Sequence, residues 1–298
     1  MTAAITVTGL TRRYRTKLTL DQVSVGFEAG AITGLLGRNG AGKTTLLRII
    51  AGQEFASAGT VLVFGASPAE NDRILRRIVF VREDQAYPDF KVGDALRAAS
   101  WFYPNWSGEL ADNLMADFTL PRNRAVKKLS RGMRSALGIV IGLAARAEVT
   151  MLDEPYAGLD AVATQLFYDR LLADYAEHPR TILLSTHQVD EAAGLLERVV
   201  VMDQGRVVLD AATDDLRGAA TRVSGPALAV AEFTARRQVW ERRQVGSQES
   251  VVVAGPPGEA NRGTARNARL TLEPISLQEL VRYVGTHPAP DARQRTSA

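Results

Sequence analysis

The sequence predicts an α/β fold: a parallel sheet with helices between its strands, followed by a smaller α+β domain. Three observations carry this. Apolar runs at 149–152, 181–184 and 199–202 are bounded by polar residues and lack polar alternation, as buried parallel strands do. Helical segments at 161–176 and 188–196 separate them, and strands alternating with helices imply a parallel sheet. After about residue 215 the pattern changes to short strand candidates at 249–254 and 268–273.

Taken in order, residues 5–8 and 20–27 alternate like strands. A short apolar run at 31–36 leads into a Gly-rich turn, and 44–51 then reads as a helix. Residues 61–64 and 78–81 are strand-like. From about 92 to 145 the pattern is helical, with Trp101, Phe102, Tyr103 and Trp106 expected in the core of a helical subdomain at about 85–147 rather than on a docking surface. The large domain therefore spans 1–215 and the small one 220–285. Residues 255–267, rich in Gly, Pro and Asn, read as a loop. Ser276 with Glu279 three positions on reads as a capped helix start. Residues 286–298 are polar and contain proline, and disorder is expected there.

Composition excludes several classes. Apolar residues make up 46% and charged residues 23% of the 298, close to a soluble globular average. A net charge of +3 without a clustered basic face argues against a nucleic-acid partner. The chain has no cysteine, which removes disulfide and thiolate chemistry. No run approaches the roughly 18–20 apolar residues that span a bilayer. The N-terminus has neither a basic region nor an apolar run, so no signal peptide is expected.

Chemistry enters at Gly37-Arg38-Asn39-Gly40-Ala41-Gly42-Lys43-Thr44, which satisfies G-x-x-x-x-G-K-[ST]. The glycines let backbone N–H groups wrap around phosphates without a Cβ clash. Lys43 supplies a point charge for the β- and γ-phosphates, and Thr44 a hydroxyl for Mg²⁺. Thr45 follows in the first turn of a helix whose positive end faces the anion. Such a loop serves any P-loop NTPase. Downstream, a buried apolar strand delivers Asp153 and Glu154 to the carboxyl edge of the sheet, where open α/β sheets bind ligands. Asp153 is placed to hold Mg²⁺, and Glu154 to polarise the attacking water as general base.

The order of features over residues 5–210 resembles the ABC ATPase family. Leu129-Ser130-Arg131-Gly132-Met133 is similar to the family signature, usually LSGGQ. The resemblance implies that Ser130 and Gly132 bind the γ-phosphate of a nucleotide held by an opposite subunit. Ala157-Gly158-Leu159-Asp160 looks like the family's D-loop, and Ser185-Thr186-His187 like the strand end carrying its switch histidine. Tyr14 looks like the aromatic that stacks on adenine. ATP and Mg²⁺ follow as ligands.

Two positions depart from the family pattern. Direct alignment places Glu83 where the family keeps a Gln, with Gln85 as the candidate if the loop is shifted. Glu83 would join the Mg²⁺ and water site. In the signature, Arg131 replaces the first Gly and Met133 the Gln.

The resemblance implies an ATP-hydrolysing subunit that powers a separate integral membrane permease, as one of a homodimeric or heterodimeric pair. Its expected place is cytoplasmic, peripheral on the inner face of the membrane, and a small C-terminal addition points to export. The alternative is a soluble ABC ATPase with a regulatory or a nucleic-acid- or ribosome-linked role.

Overall fold

A computed structural model describes residues 3–83, 85–256 and 259–284. The chain divides into two compact units. One runs up to His187 and includes Leu195–Val207; the other comprises Gln188–Gly194 and the residues from Val208 on.

In the first unit, β1 (Ala3–Tyr14) and β2 (Lys17–Glu28) form an antiparallel hairpin. The chain continues through β3 (Ile32–Leu36), α1 (Lys43–Ile50) and β4 (Ala58–Val63), which pairs antiparallel with β1. Next come α2 (Asp72–Leu75), β5 (Ile78–Arg82), α3 (Val92–Phe102), α4 (Gly108–Asp117) and α5 (Arg131–Ala144). Then follow β6 (Val149–Asp153), α6 (Ala161–Glu177), β7 (Thr181–Ser185), the short α7 (Val189–Ala192) and β8 (Arg198–Asp203). β9 (Arg206–Ala212) carries the chain from the first unit into the second.

The central sheet has the order β5-β6-β7-β3-β8-β9, and β5, β6, β7, β3 and β8 run parallel. The apolar runs are buried along their whole length in β3, β6 and β7, as expected of strands covered on both faces. On one side, Leu46, Leu47, Ile49 and Ile50 of α1 pack with Ile5, Val7, Leu10 and Leu20 of the hairpin and with Met151 and Val200 of the sheet. Deeper support comes from Asp174. Its carboxylate, almost wholly buried, takes Arg146 at 2.8 Å and Arg180 at 2.7 Å.

The second unit is α8 (Thr213–Leu216), β10 (Ala220–Pro226), α9 (Ala227–Thr234), β11 (Val239–Val245), β12 (Gln248–Ala254), α10 (Glu259–Asn267), β13 (Thr271–Pro274) and α11 (Leu277–Val284). Its sheet has the order β11-β12-β10-β13 with all pairs antiparallel. From β10 to β13 the run is β-α-β-β-α-β, the ferredoxin-like arrangement. Val223, Val251 and Val253 on one sheet face form a core with Val230 of α9 and Ala265 of α10. On the other face, Trp240 packs against Tyr283 of α11 with ring centroids 5.7 Å apart, and Arg222 pairs with Glu279. α11 also packs against α7, where the Gln278 N–H donates to Asp190 Oδ1 at 3.0 Å.

Several expectations need correction. Residues 255–267 hold helix α10, and 188–196 keep only the four residues of α7 in helix before the turn at Gly194. Trp101 is 76% and Phe102 44% exposed, not in the core, because α3 buries Val92, Ala95 and Leu96 and turns its last residues outward. The start of α11 is as read: Glu279 N–H donates to Ser276 Oγ at 3.2 Å, and Ser276 N–H to Glu279 Oε2 at 3.4 Å. The tail at 286–298 lies outside the described residues. Among the described residues no helix is long and apolar enough to cross a membrane.

Candidate functional site

Three parallel strands deliver the chemistry to one edge. β3 ends at Leu36 and opens into the glycine loop, β6 ends at Asp153, and β7, paired between them, ends two residues before His187. The loop at 37–42 turns back to start α1, whose N-cap is Gly42 in the left-handed region with no side-chain cap. The amides of the first turn therefore keep their hydrogen-bonding capacity for a ligand. Gly37 has φ 144°, and a Cβ there would collide with the Met202 carbonyl, so no other residue fits this turn. Arg38, Asn39 and Gly40 are exposed, whereas Ala41, Gly42 and Lys43 are buried and Thr45 is half-buried.

Lys43 lies over the loop, its Nζ donating to the Gly37 carbonyl at 2.7 Å and the Arg38 carbonyl at 3.4 Å. Burial holds its pKa below the ordinary lysine value, and the carboxylates of Glu154 and Asp153 partly oppose that shift. The Thr44 hydroxyl donates to Asp153 Oδ2 at 2.6 Å. The other Asp153 oxygen, Oδ1, is buried with no hydrogen-bond partner. A hydroxyl beside an orphaned buried carboxylate oxygen fits Mg²⁺, which takes one or two protein oxygens and completes its shell with water and phosphate. Among the described residues no three His, Cys, Asp or Glu side chains converge as a metal site. That suits a metal shared with a phosphate substrate rather than one caged by protein.

Glu154 adopts φ 49°, a strained left-handed conformation for a residue with a side chain. Its N–H is tied to the Ser185 carbonyl at 3.1 Å, so the end of β7 fixes it. Its Oε2 lies 2.6 Å from His187 Nδ1 and accepts from the Tyr156 hydroxyl at 2.7 Å. Tyr156 also bonds Thr186, the residue before His187. His187 itself is largely exposed.

The signature and D-loop segments meet in the same unit. Ser130 caps α5, accepting from the Met133 N–H at 3.2 Å. Gly132 abuts Gly158 so closely that a Cβ at Gly132 would collide with the Gly158 carbonyl. Asp160 caps α6 through the Ala163 N–H at 2.8 Å. Glu83 pairs with Arg131, and no described contact joins it to Thr44 or Asp153. Gln85 Oε1 is buried without a hydrogen-bond partner. Tyr14 stands apart at the tip of the β1–β2 hairpin. Its ring lies 4.5 Å from the Arg12 guanidinium, and its hydroxyl bonds Glu54. Lys43, Thr44, Asp153, Glu154 and His187 are thus brought together. Sequence reading missed Tyr156 and the Arg131–Glu83 pair.

A phosphate-cradling loop, an Asp placed for a metal and a Glu–His pair at one sheet edge define a P-loop ATPase cassette. Comparison with known proteins agrees: residues 20–157 match the ABC transporter family. The chain is 35% identical over 218 residues to the Nod factor export ATP-binding protein I of Burkholderia orbicola, covering 70% of this chain and 71% of that one. It is 29% identical over 199 residues to the ABC transporter ATP-binding protein YtrB of Bacillus subtilis, covering 66% and 68%. A solved ATP-binding subunit of an ABC transporter superposes with a TM-score of 0.65 at 26% identity, over 72% of this chain and 92% of that one. The chain belongs to the ABC transporter ATP-binding family, whose cassettes bind ATP and are ATPases.

Proposed function

We propose that this chain hydrolyses ATP to drive a separate integral membrane permease, working at the cytoplasmic face of the membrane in export. The observation that carries the reading is the convergence of Lys43, the Thr44–Asp153 pair and the Glu154–His187 contact on one sheet edge. Relatives above 30% identity named for Nod factor export support the direction.

In this reading the loop amides and Lys43 hold the triphosphate, and the exposed Tyr14 ring stacks on adenine. Mg²⁺ held by Thr44 and Asp153 would neutralise charge on the β- and γ-phosphates. Glu154 orients the attacking water and accepts its proton, and His187 fixes the Glu154 carboxylate while sensing the γ-phosphate. Ser130, Gly132 and Asp160 serve the site of an opposite subunit, so two copies, or this chain and a related one, enclose two nucleotides. A solved dimeric bacterial ABC transporter cassette, alike in fold with a TM-score of 0.61, offers the precedent. Glu83 reaches the metal and water only after Arg131 lets it go.

Co-expression with the multi-span product of a neighbouring gene tests the reading. Co-purification from membranes, with ATP turnover altered by the partner, is expected. A chain that never associates with such a partner and hydrolyses ATP identically alone overturns the coupling.

A further inference from the structure

We infer that Tyr156 is a positioning residue for ATP hydrolysis, its hydroxyl fixing the carboxylate of Glu154; this rests on reading Glu154 as the general base. The proton count fixes the direction of the bonds. A carboxylate only accepts, so Tyr156 must donate its single proton to Glu154 Oε2, at 2.7 Å. The contact between Tyr156 and Thr186 must then run the other way, with the Thr186 hydroxyl donating to the phenol oxygen. The result is a chain from Thr186 through Tyr156 to Glu154, each link polarising the next. With His187 also on Oε2, that oxygen is held from two sides.

The ring is built to stay in place. Tyr156 is 4% exposed and packs against Tyr168 and His187, with ring centroids 6.4 and 5.9 Å away. Burial, and then the neighbouring Glu154 carboxylate, push its phenol above the ordinary tyrosine value, so it remains a donor. The hydroxyl thus connects the residue proposed as base with the strand end that carries the switch histidine. Glu154 sits in a strained backbone conformation that needs such support.

Tyr156→Phe removes the hydroxyl and keeps the ring. A hydrogen bond to a charged group, worth about a factor of ten, should disappear from kcat, with KM and Kd for ATP unchanged within about twofold. In a Glu154→Gln background the same change should lower the residual rate no further, because the hydroxyl acts only through that carboxylate. Thermal unfolding checks that each variant folds. Should Tyr156→Phe fail to fold, Thr186→Val removes the first link and is expected to lower kcat about twofold with KM constant. Wild-type turnover in Tyr156→Phe, or an equal fractional loss in both backgrounds, overturns the inference while Glu154 stands as base. Wild-type turnover in Glu154→Gln alone overturns the reading beneath it.

Discussion

Arg131, the first residue of α5, forms an ion pair with Glu83, the residue after β5. These are the two positions at which the chain departs most visibly from the motifs it otherwise resembles. Each brings a charge where the family pattern has none, and in this structure the two charges meet. Their side chains are 63% and 43% exposed, so the pair adds little to stability, within about 1 kcal/mol. If Glu83 belongs to the metal and water site, as proposed above, an unpaired carboxylate there would repel a triphosphate.

That predicts an ordered set of effects on metal-free ATP binding. Arg131→Gly, which leaves Glu83 unpaired, should bind ATP more weakly than wild type in EDTA. Glu83→Gln should bind it more tightly and need more Mg²⁺ for half-maximal turnover. The double variant should recover most of the loss caused by Arg131→Gly, and Gln85→Ala should change neither quantity much. Calorimetry in EDTA and a Mg²⁺ titration of activity measure both. Additive effects of Arg131→Gly and Glu83→Gln would mean the two residues act independently.

Lys43→Ala should lose nucleotide binding, roughly 100-fold or more in Kd, because it removes the buried side-chain cation of the loop and its charge-assisted bonds. The fold should persist, since Lys43 bonds only two loop carbonyls. Unchanged ATP affinity by calorimetry contradicts the assignment.

Asp174→Asn should lower stability by about 3–5 kcal/mol, since the buried Arg180 would face a neutral amide. Thermal unfolding should register a fall of roughly 10 °C. ATP affinity of the folded fraction should not change. A Tm within about 1 °C of wild type would show that Arg146 and Arg180 find other partners.

Much of the fold was legible because local signals agreed with tertiary context. The runs that became β3, β6 and β7 are largely apolar, with no polar alternation, because both sheet faces are covered, and the glycine loop announces itself by spacing. Ser276 and Glu279 sit at the spacing their reciprocal bonds require. Helix α10 was hidden by the Gly, Pro and Asn content of 255–267. β11 was hidden by its charged edge residues Glu241, Arg242 and Arg243, which carry no apolar alternation. The β11-β12-β10-β13 order depends on long-range pairing that no local pattern states.

The site was legible in its motifs and not in its connections. Asp153, Glu154 and His187 stand in recognisable contexts. Tyr156 lies two residues past Glu154 in a loop, where the chain turns through a left-handed residue and the hydroxyl meets the carboxylate, which no local pattern states. Arg131 and Glu83 are 48 residues apart, and nothing in either segment says that they meet.

The most direct test is ATP turnover and ATP-dependent dimerisation of Glu154→Gln, measured by coupled assay and size-exclusion chromatography. Loss of the general base should lower turnover by roughly 10²–10⁴-fold with ATP still bound. With hydrolysis blocked, the closed pair should persist as a stable ATP-bound dimer. Turnover at the wild-type rate would remove Glu154 from its role, and with it the catalytic reading of the site.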